Sequence, residues 1–106
     1  MERMPERCAP AGTAWGQRQC ELERELRRAV RTRVELPDGF ALAFPGDARW
    51  LAPLAEAIGY ERECCPFLVL ELVAEPDRGP LWLRLKGPAG AKAFLARALE
   101  GCGGSG

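Results

Sequence analysis

The stretch RVELPDGFALAF, residues 33–44, decides the fold. Val34 and Leu36 alternate with charged residues, and large apolar side chains alternate with alanine after the turn. Alternation of this kind has the period of two that a half-buried strand requires. The Pro-Asp-Gly segment between the two runs is typical of a turn, and Gly39 is able to adopt a positive φ there. These residues therefore predict a β-hairpin with one buried face.

A second hairpin is predicted further along the chain. Residues 67–74 carry Leu68, Leu70, Leu72 and Ala74 at alternate positions, residues 81–86 carry leucine at every second position, and the loop PDRGP separates the two runs. Two such runs joined by a short turn-rich loop are expected to pair. The outward side of this hairpin would display Phe67, Val69 and Trp82, and so much exposed apolar surface predicts that a partner or the first helix covers it. We therefore expect the protein to form a homodimer.

Three other segments have a helical period of about 3.6 residues. We predict an N-cap at Thr13 for the first, and a start at Pro88 and a C-cap at Gly101 for the third. Asp47 is the predicted N-cap of the second. Pro53 predicts that this second helix starts late, kinks or begins with a looser turn, because proline lacks the N–H donor of a helix interior.

The order of elements is α-β-β-α-β-β-α, which predicts an α+β fold. We expect a four-stranded, mostly antiparallel sheet with the helices packed on one face. Residues 1–12 are predicted to be an irregular N-terminal arm, residues 13–101 a single domain, and residues 102–106 a flexible tail. The predicted core comprises Leu26, Leu36, Phe40, Leu42, Leu54, Ile58, Leu68, Leu70, Leu83, Leu85, Phe94 and Leu95.

Composition excludes several classes of function. The 15 basic and 15 acidic side chains cancel, so the charge does not favour binding to nucleic acid or to an acidic membrane. The absence of histidine excludes Ser-His and Cys-His catalysis and every histidine-containing metal site. The chain has neither a secretory signal nor an apolar run near the roughly 20 residues of a membrane helix, so we expect a cytoplasmic protein. Its five cysteines are then not a disulfide framework.

Two adjacent cysteines, Cys64 and Cys65, lie where the second helix should end, because Pro66 disfavours helical geometry in the preceding residue. At a helix end both sulfurs can turn toward one point, and a pair of thiolates suits Hg(II), Cu(I), As(III), or Zn(II) if further ligands join. Glu61 precedes the pair by one turn. It is a candidate metal ligand or hydrogen-bond acceptor, although an ion pair with a nearby arginine such as Arg62 is the simpler interpretation.

Two alternatives remain open for these cysteines. Cysteine is among the most buried residue types, and Cys65 shares a helical stripe with Leu54 and Ile58, so the pair can be packed residues of an interaction module. A thiol-dependent enzyme or redox protein, including one with organomercurial-type chemistry, is the second alternative. The absence of histidine, the absence of a CxxC motif and the acidic neighbours argue against it.

The stretches YERECCPFLVLEL, GPLWLRLKGPAGAKAFL and VELPDGFALAF together resemble a family of small, functionally uncharacterised bacterial proteins. Members carry an E-R-x-C-C-P-F core between a helix and a strand, and the likeness covers nearly the whole chain. The resemblance implies a third thiol near the N-terminus, at Cys8, beside Cys64 and Cys65. It leaves Cys20 and Cys102 as departures from the family pattern.

The same resemblance implies an association with heavy-metal resistance genes. The expected function is therefore that of a cytoplasmic soft-metal or metalloid binder, a buffer or an accessory to metal resistance, more than that of an enzyme. A set of three thiolates suits Hg(II), As(III) or Cu(I) better than zinc, which normally takes four ligands.

Overall fold

The computed structural model describes residues 14–99, with side chains from residue 16 onward. The predicted N-terminal arm with Cys8, the Thr13 cap, the Gly101 cap and the tail with Cys102 lie outside the described residues. Within them, the predicted order of elements is confirmed. The elements are α1 (Ala14–Ala29), β1 (Thr32–Leu36), β2 (Gly39–Phe44), α2 (Leu51–Cys64), β3 (Val69–Ala74), β4 (Leu81–Lys86) and α3 (Ala91–Ala98).

The four strands form one sheet in the order β1-β2-β4-β3, and all neighbouring strands are antiparallel. The two sequential hairpins meet through the pairing of β2 with β4. The α+β fold expected from the change of period along the chain is therefore the observed one.

The core lies between one face of the sheet and the helices. Large side chains of β2 and β4 point to this face, and residues of α1, α2 and α3 pack against them in one cluster. Burial of such apolar side chains stabilises a fold by about 1.5–3 kcal/mol each. The buried cluster comprises Leu22, Leu26, Phe40, Leu42, Phe44, Leu54, Cys65, Leu81, Leu83, Leu85, Phe94 and Leu95.

The prediction that Leu36 belongs to the core is wrong, and the length of the turn explains why. Leu36 pairs directly with Gly39, so only two residues form the turn. Directly opposed residues of an antiparallel pair point to the same face, which places odd-numbered residues of β1 with even-numbered residues of β2. Arg33 therefore faces the helices, with its guanidinium carbon 4.4 Å from the centre of the Phe40 ring. Val34 and Leu36 lie on the opposite face, and Val34 is 40% exposed.

The face of the sheet that points away from the helices is called the outer face here. Val69 is 53% exposed on it, and Trp82 is half-buried with its Nε1 donating a hydrogen bond to Glu75 Oε2 at 3.1 Å. The prediction that Phe67 lies on this face is wrong. Phe67 precedes β3 and packs against the core, with its ring centre 6.0 Å from that of Phe94 in an edge-on arrangement. The turn between α2 and β3 directs this side chain to the helix side.

Three residues predicted for the core are half-buried at its margin. Ile58, Leu68 and Leu70 pack against the buried cluster without becoming fully enclosed. Ile58 and Leu70 also border a cavity that is partly open to solvent, which accounts for part of their remaining exposure.

The start of the second helix agrees with the prediction made from Asp47 and Pro53. A single 3-10 turn, Ala48–Trp50, precedes α2, and Asp47 Oδ1 accepts a hydrogen bond from the Arg49 N–H at 3.0 Å. Pro53 then falls in the first turn of the α-helix, where a missing N–H breaks no intrahelical bond. The cap and the looser turn together set the direction in which α2 leads to the cysteine pair.

Gly39 is required by space rather than by its φ, because Gly90 is the glycine with positive φ among residues 14–99. A Cβ atom added at Gly39 would lie 1.8 Å from the carbonyl oxygen of Leu85. β2 and β4 thus approach closely at this point. In the same range of residues the longest helix, α1, has 16 residues, and none of the helices is long and apolar enough to cross a membrane.

Candidate functional site

The cysteine pair lies at a corner between α2 and β3. Cys64 is the last helical residue, and Cys65 leaves the helix with φ −129° and ψ 66°. The Cys65 N–H still donates to the Glu61 carbonyl at 2.7 Å, and the Cys65 carbonyl accepts from the Leu68 N–H at 3.0 Å. Hydrogen bonds on both sides therefore hold the backbone of this corner, and Pro66 adds a fixed φ directly after it.

The two cysteines differ in their exposure. Cys65 is 1% exposed and belongs to the buried cluster, whereas Cys64 is half-buried and packs against that cluster. The expectation that Cys65 continues the apolar stripe of Leu54 is confirmed, since Leu54 is 0% exposed in the same cluster. Cys65 thus contributes to the packing of the core, independently of whether its sulfur also binds an ion.

Glu61 stands one turn before Cys65 on α2, and its side chain borders the cavity between the helices and the sheet. Within residues 14–99, no three Cys, Asp or Glu side chains are grouped closely enough to hold a metal ion. Glu61, Cys64 and Cys65 consequently do not form such a group by themselves. Cys8, the remaining member of the predicted ligand set, lies outside the described residues, so the complete set stays a prediction.

An ion pair fixes α2 against α1. Arg18 contacts Glu56 through two parallel hydrogen bonds of 2.7 Å, and the Tyr60 hydroxyl donates to the same carboxylate at 3.3 Å. The hydrogen bonds from Arg18 hold the pKa of Glu56 below its ordinary value, while desolvation and the adjacent carboxylate raise the pKa of Tyr60. Both partners are partly exposed, so this pair orients the helices more than it stabilises them.

A cavity of about 300 Å³, partly open to solvent, lies between the helices and the core face of the sheet. Sequence patterns did not reveal it, because each helix and strand has an ordinary apolar stripe. The signal that was available is the presence of small residues in those stripes. Ala57 on α2 and Ala98 on α3 both border the cavity, where larger side chains would narrow it.

Cys20 lies half-buried on α1 and does not border the cavity.

Comparisons with protein families, with curated proteins and with solved structures found no match for this chain.

Proposed function

We propose that the protein binds a soft metal or metalloid ion through the sulfurs of Cys64 and Cys65, as a cytoplasmic buffer or an accessory to metal resistance. The observation that carries this proposal is the change of backbone conformation between the two residues. Cys64 is helical, whereas Cys65 has φ −129° and ψ 66°. Consecutive residues inside a helix direct their side chains about 100° apart, and leaving the helix at Cys65 removes that constraint.

The fixed backbone of the corner supports the same proposal. Hydrogen bonds to Glu61 and from Leu68 hold both sides of Cys65, and the half-buried Cys64 packs against the core. An ion that binds a preorganised site need not order the backbone, so less of its interaction energy is lost to entropy. The partial burial of the pair also favours a soft, weakly hydrated ion over a hard one.

The chemistry of sulfur restricts the ion. Thiolates select soft ions, so Hg(II), Cu(I) and As(III) come before Zn(II), which normally requires four ligands. We propose Cys8 as the third thiolate and Glu61 as a carboxylate that binds the ion or accepts a hydrogen bond beside it. The positive charge of a bound ion would offset the displaced thiol protons and the nearby acidic side chains.

The burial of Cys65 favours a second candidate, in which the cysteines are packed residues of an interaction module. At 1% exposure, Cys65 has the environment of a core residue. This interpretation predicts sulfurs that react slowly with thiol reagents whether or not an ion is present. The two candidates therefore differ in the effect of an ion on thiol reactivity.

The experiment is a thiol titration of the fully reduced chain with and without one equivalent of Hg(II) or Cu(I). We expect two or three of the five cysteines to lose reactivity together when the ion is added. Cys64→Ser should abolish this protection, and Cys20→Ser, which removes a half-buried thiol on α1, should preserve it. One hyper-reactive thiol would indicate a thiol enzyme instead, and thiols that stay unreactive throughout would indicate packing.

A further inference from the structure

The cavity between the helices and the sheet is the strongest feature outside the cysteine pair, and it shares only Glu61 with the proposed ion site. Its wall includes Leu26 of α1, Ile58 of α2, Leu83 of β4 and Leu95 of α3, so all layers of the fold contribute to it. None of the described cysteines borders it. The cavity is therefore a second candidate site, distinct from the sulfurs of the cysteine pair.

The cavity has a volume of about 300 Å³ and is partly open to solvent, since Arg27 and Ala98 of its wall are exposed. An engineered cavity of about 150 Å³, lined by Leu, Ile and Phe, stays dry and binds benzene. Twice that volume corresponds to a molecule of roughly twelve heavy atoms, and ligand pockets commonly begin at about 300 Å³.

The lining determines the polarity of the occupant. Most of the lining side chains are aliphatic or aromatic, and the charged ones are two acidic and two basic residues, Glu23, Glu61, Arg27 and Arg33. Their formal charges cancel, so an ionic head group would meet no net counter-charge. One of the basic residues, Arg33, already lies over the Phe40 ring. The chemistry of the wall therefore favours a neutral ligand.

We infer that this cavity binds a neutral, hydrocarbon-rich small molecule of about twelve heavy atoms. Small side chains at Ala57 and Ala98 maintain the space that the molecule occupies. Such a ligand stabilises the folded state in proportion to its concentration, because the cavity exists only when the helices and the sheet are assembled.

Naphthalene, with ten carbon atoms, is the probe for this inference. Ile58 is the single isoleucine of the chain and borders the cavity, so its δ1 methyl gives one assignable resonance in a ¹³C-labelled sample. We expect naphthalene to shift this resonance saturably at micromolar concentrations and to raise the melting temperature of the full chain by several degrees. Naphthalene-1,5-disulfonate, which has the same rings and two charges, should do neither.

Matched variants on one helix locate the binding. Ala57→Phe should fill the cavity and weaken naphthalene binding at least tenfold, whereas Ala55→Phe, on the exposed side of α2, should leave it unchanged. If Ala57→Phe does not fold, Ala98→Trp provides a second obstruction from α3. The inference is overturned if naphthalene gives no saturable shift, as it would if another segment of the chain or a second copy filled the cavity. It is also overturned if binding survives in a folded Ala57→Phe or Ala98→Trp variant.

Discussion

Replacement of Cys65 by alanine should lower the stability of the protein, whereas the same replacement of Cys64 should not. Cys65 is 1% exposed within the buried cluster, and Cys64 is half-buried at its edge. The Cys65→Ala substitution removes one enclosed sulfur, a deletion similar in size to the methyl group lost in Ile→Val. That loss costs about 0.5–1.5 kcal/mol through lost burial and the remaining void.

The expected size of the effect is measurable. In a domain of this size, 1 kcal/mol changes the melting temperature by roughly 4–8 °C, so Cys65→Ala should lower it by about 2–12 °C. Cys64→Ala should change the free energy of unfolding by no more than about 0.5 kcal/mol, as partly exposed substitutions usually do. Both variants should nevertheless lose affinity for Hg(II), because each removes one of the two proposed sulfur ligands.

Urea denaturation of the reduced chain without metal measures both free energies under the same conditions. Circular dichroism during heating measures the melting temperatures, and a competition titration measures the affinity for Hg(II). Equal stability losses in the two variants would refute the assignment of Cys65 to the core. Loss of stability in Cys65→Ala with unchanged affinity in both variants would show that the pair is packed and does not bind the ion.

Three further predictions concern the scaffold and its assembly. Gly39→Ala should destabilise the protein by about 1–3 kcal/mol in urea denaturation, because the added Cβ would meet a carbonyl oxygen at 1.8 Å. Gly59→Ala, whose added Cβ would have nothing within 4 Å, should stabilise α2 by about 0.5–1 kcal/mol. A loss of stability at both positions would contradict this reasoning. Because Arg18 lowers the pKa of Glu56, the pair contributes its full stability above the unfolded-state pKa of that carboxyl and loses it as pH falls through the lower folded-state pKa. The difference in stability between the protein and Glu56→Gln should therefore shrink in acid. A difference that does not change between pH 3 and pH 7 would argue against the pair. We also propose a homodimer that buries the outer face, on which Val69 is exposed. Light scattering should give twice the chain mass of 11.6 kDa, and Val69→Lys should reduce the measured mass to that of one chain. A monomer at all micromolar concentrations would exclude this assembly.

The fold was predictable because β2, β4 and two of the helices have a clear period. Large apolar side chains occur at every second position in both central strands, at Phe40 and Leu42 in β2 and at Leu83 and Leu85 in β4. The sheet and its core face follow from this alternation. The side to which Leu36 points was not predictable from alternation alone. It depends on whether two or three residues form the turn, since a change of one residue inverts the face of the whole strand.

The candidate sites differ in how much the sequence reveals. Cys64 and Cys65 were found because two adjacent thiols before a proline are unusual, and the end of the helix at that point agrees with the effect of Pro66. The cavity could not be derived in this way. It is the space left between elements after they pack, and Ala57 and Ala98 contribute to it only in combination with residues distant in sequence.

Native mass spectrometry of the reduced full chain tests the proposed ion site most directly. The samples are the protein, a double variant with Cys64→Ser and Cys65→Ser, and Cys20→Ser as the matched control. Each is titrated with Hg(II), Cu(I), As(III) and Zn(II) in the presence of a competing small thiol. The account predicts one ion per chain of Hg(II) or Cu(I) for the protein and for Cys20→Ser, and no stable adduct for the double variant. Full affinity in the double variant, or no adduct of any soft ion with the protein itself, would contradict it.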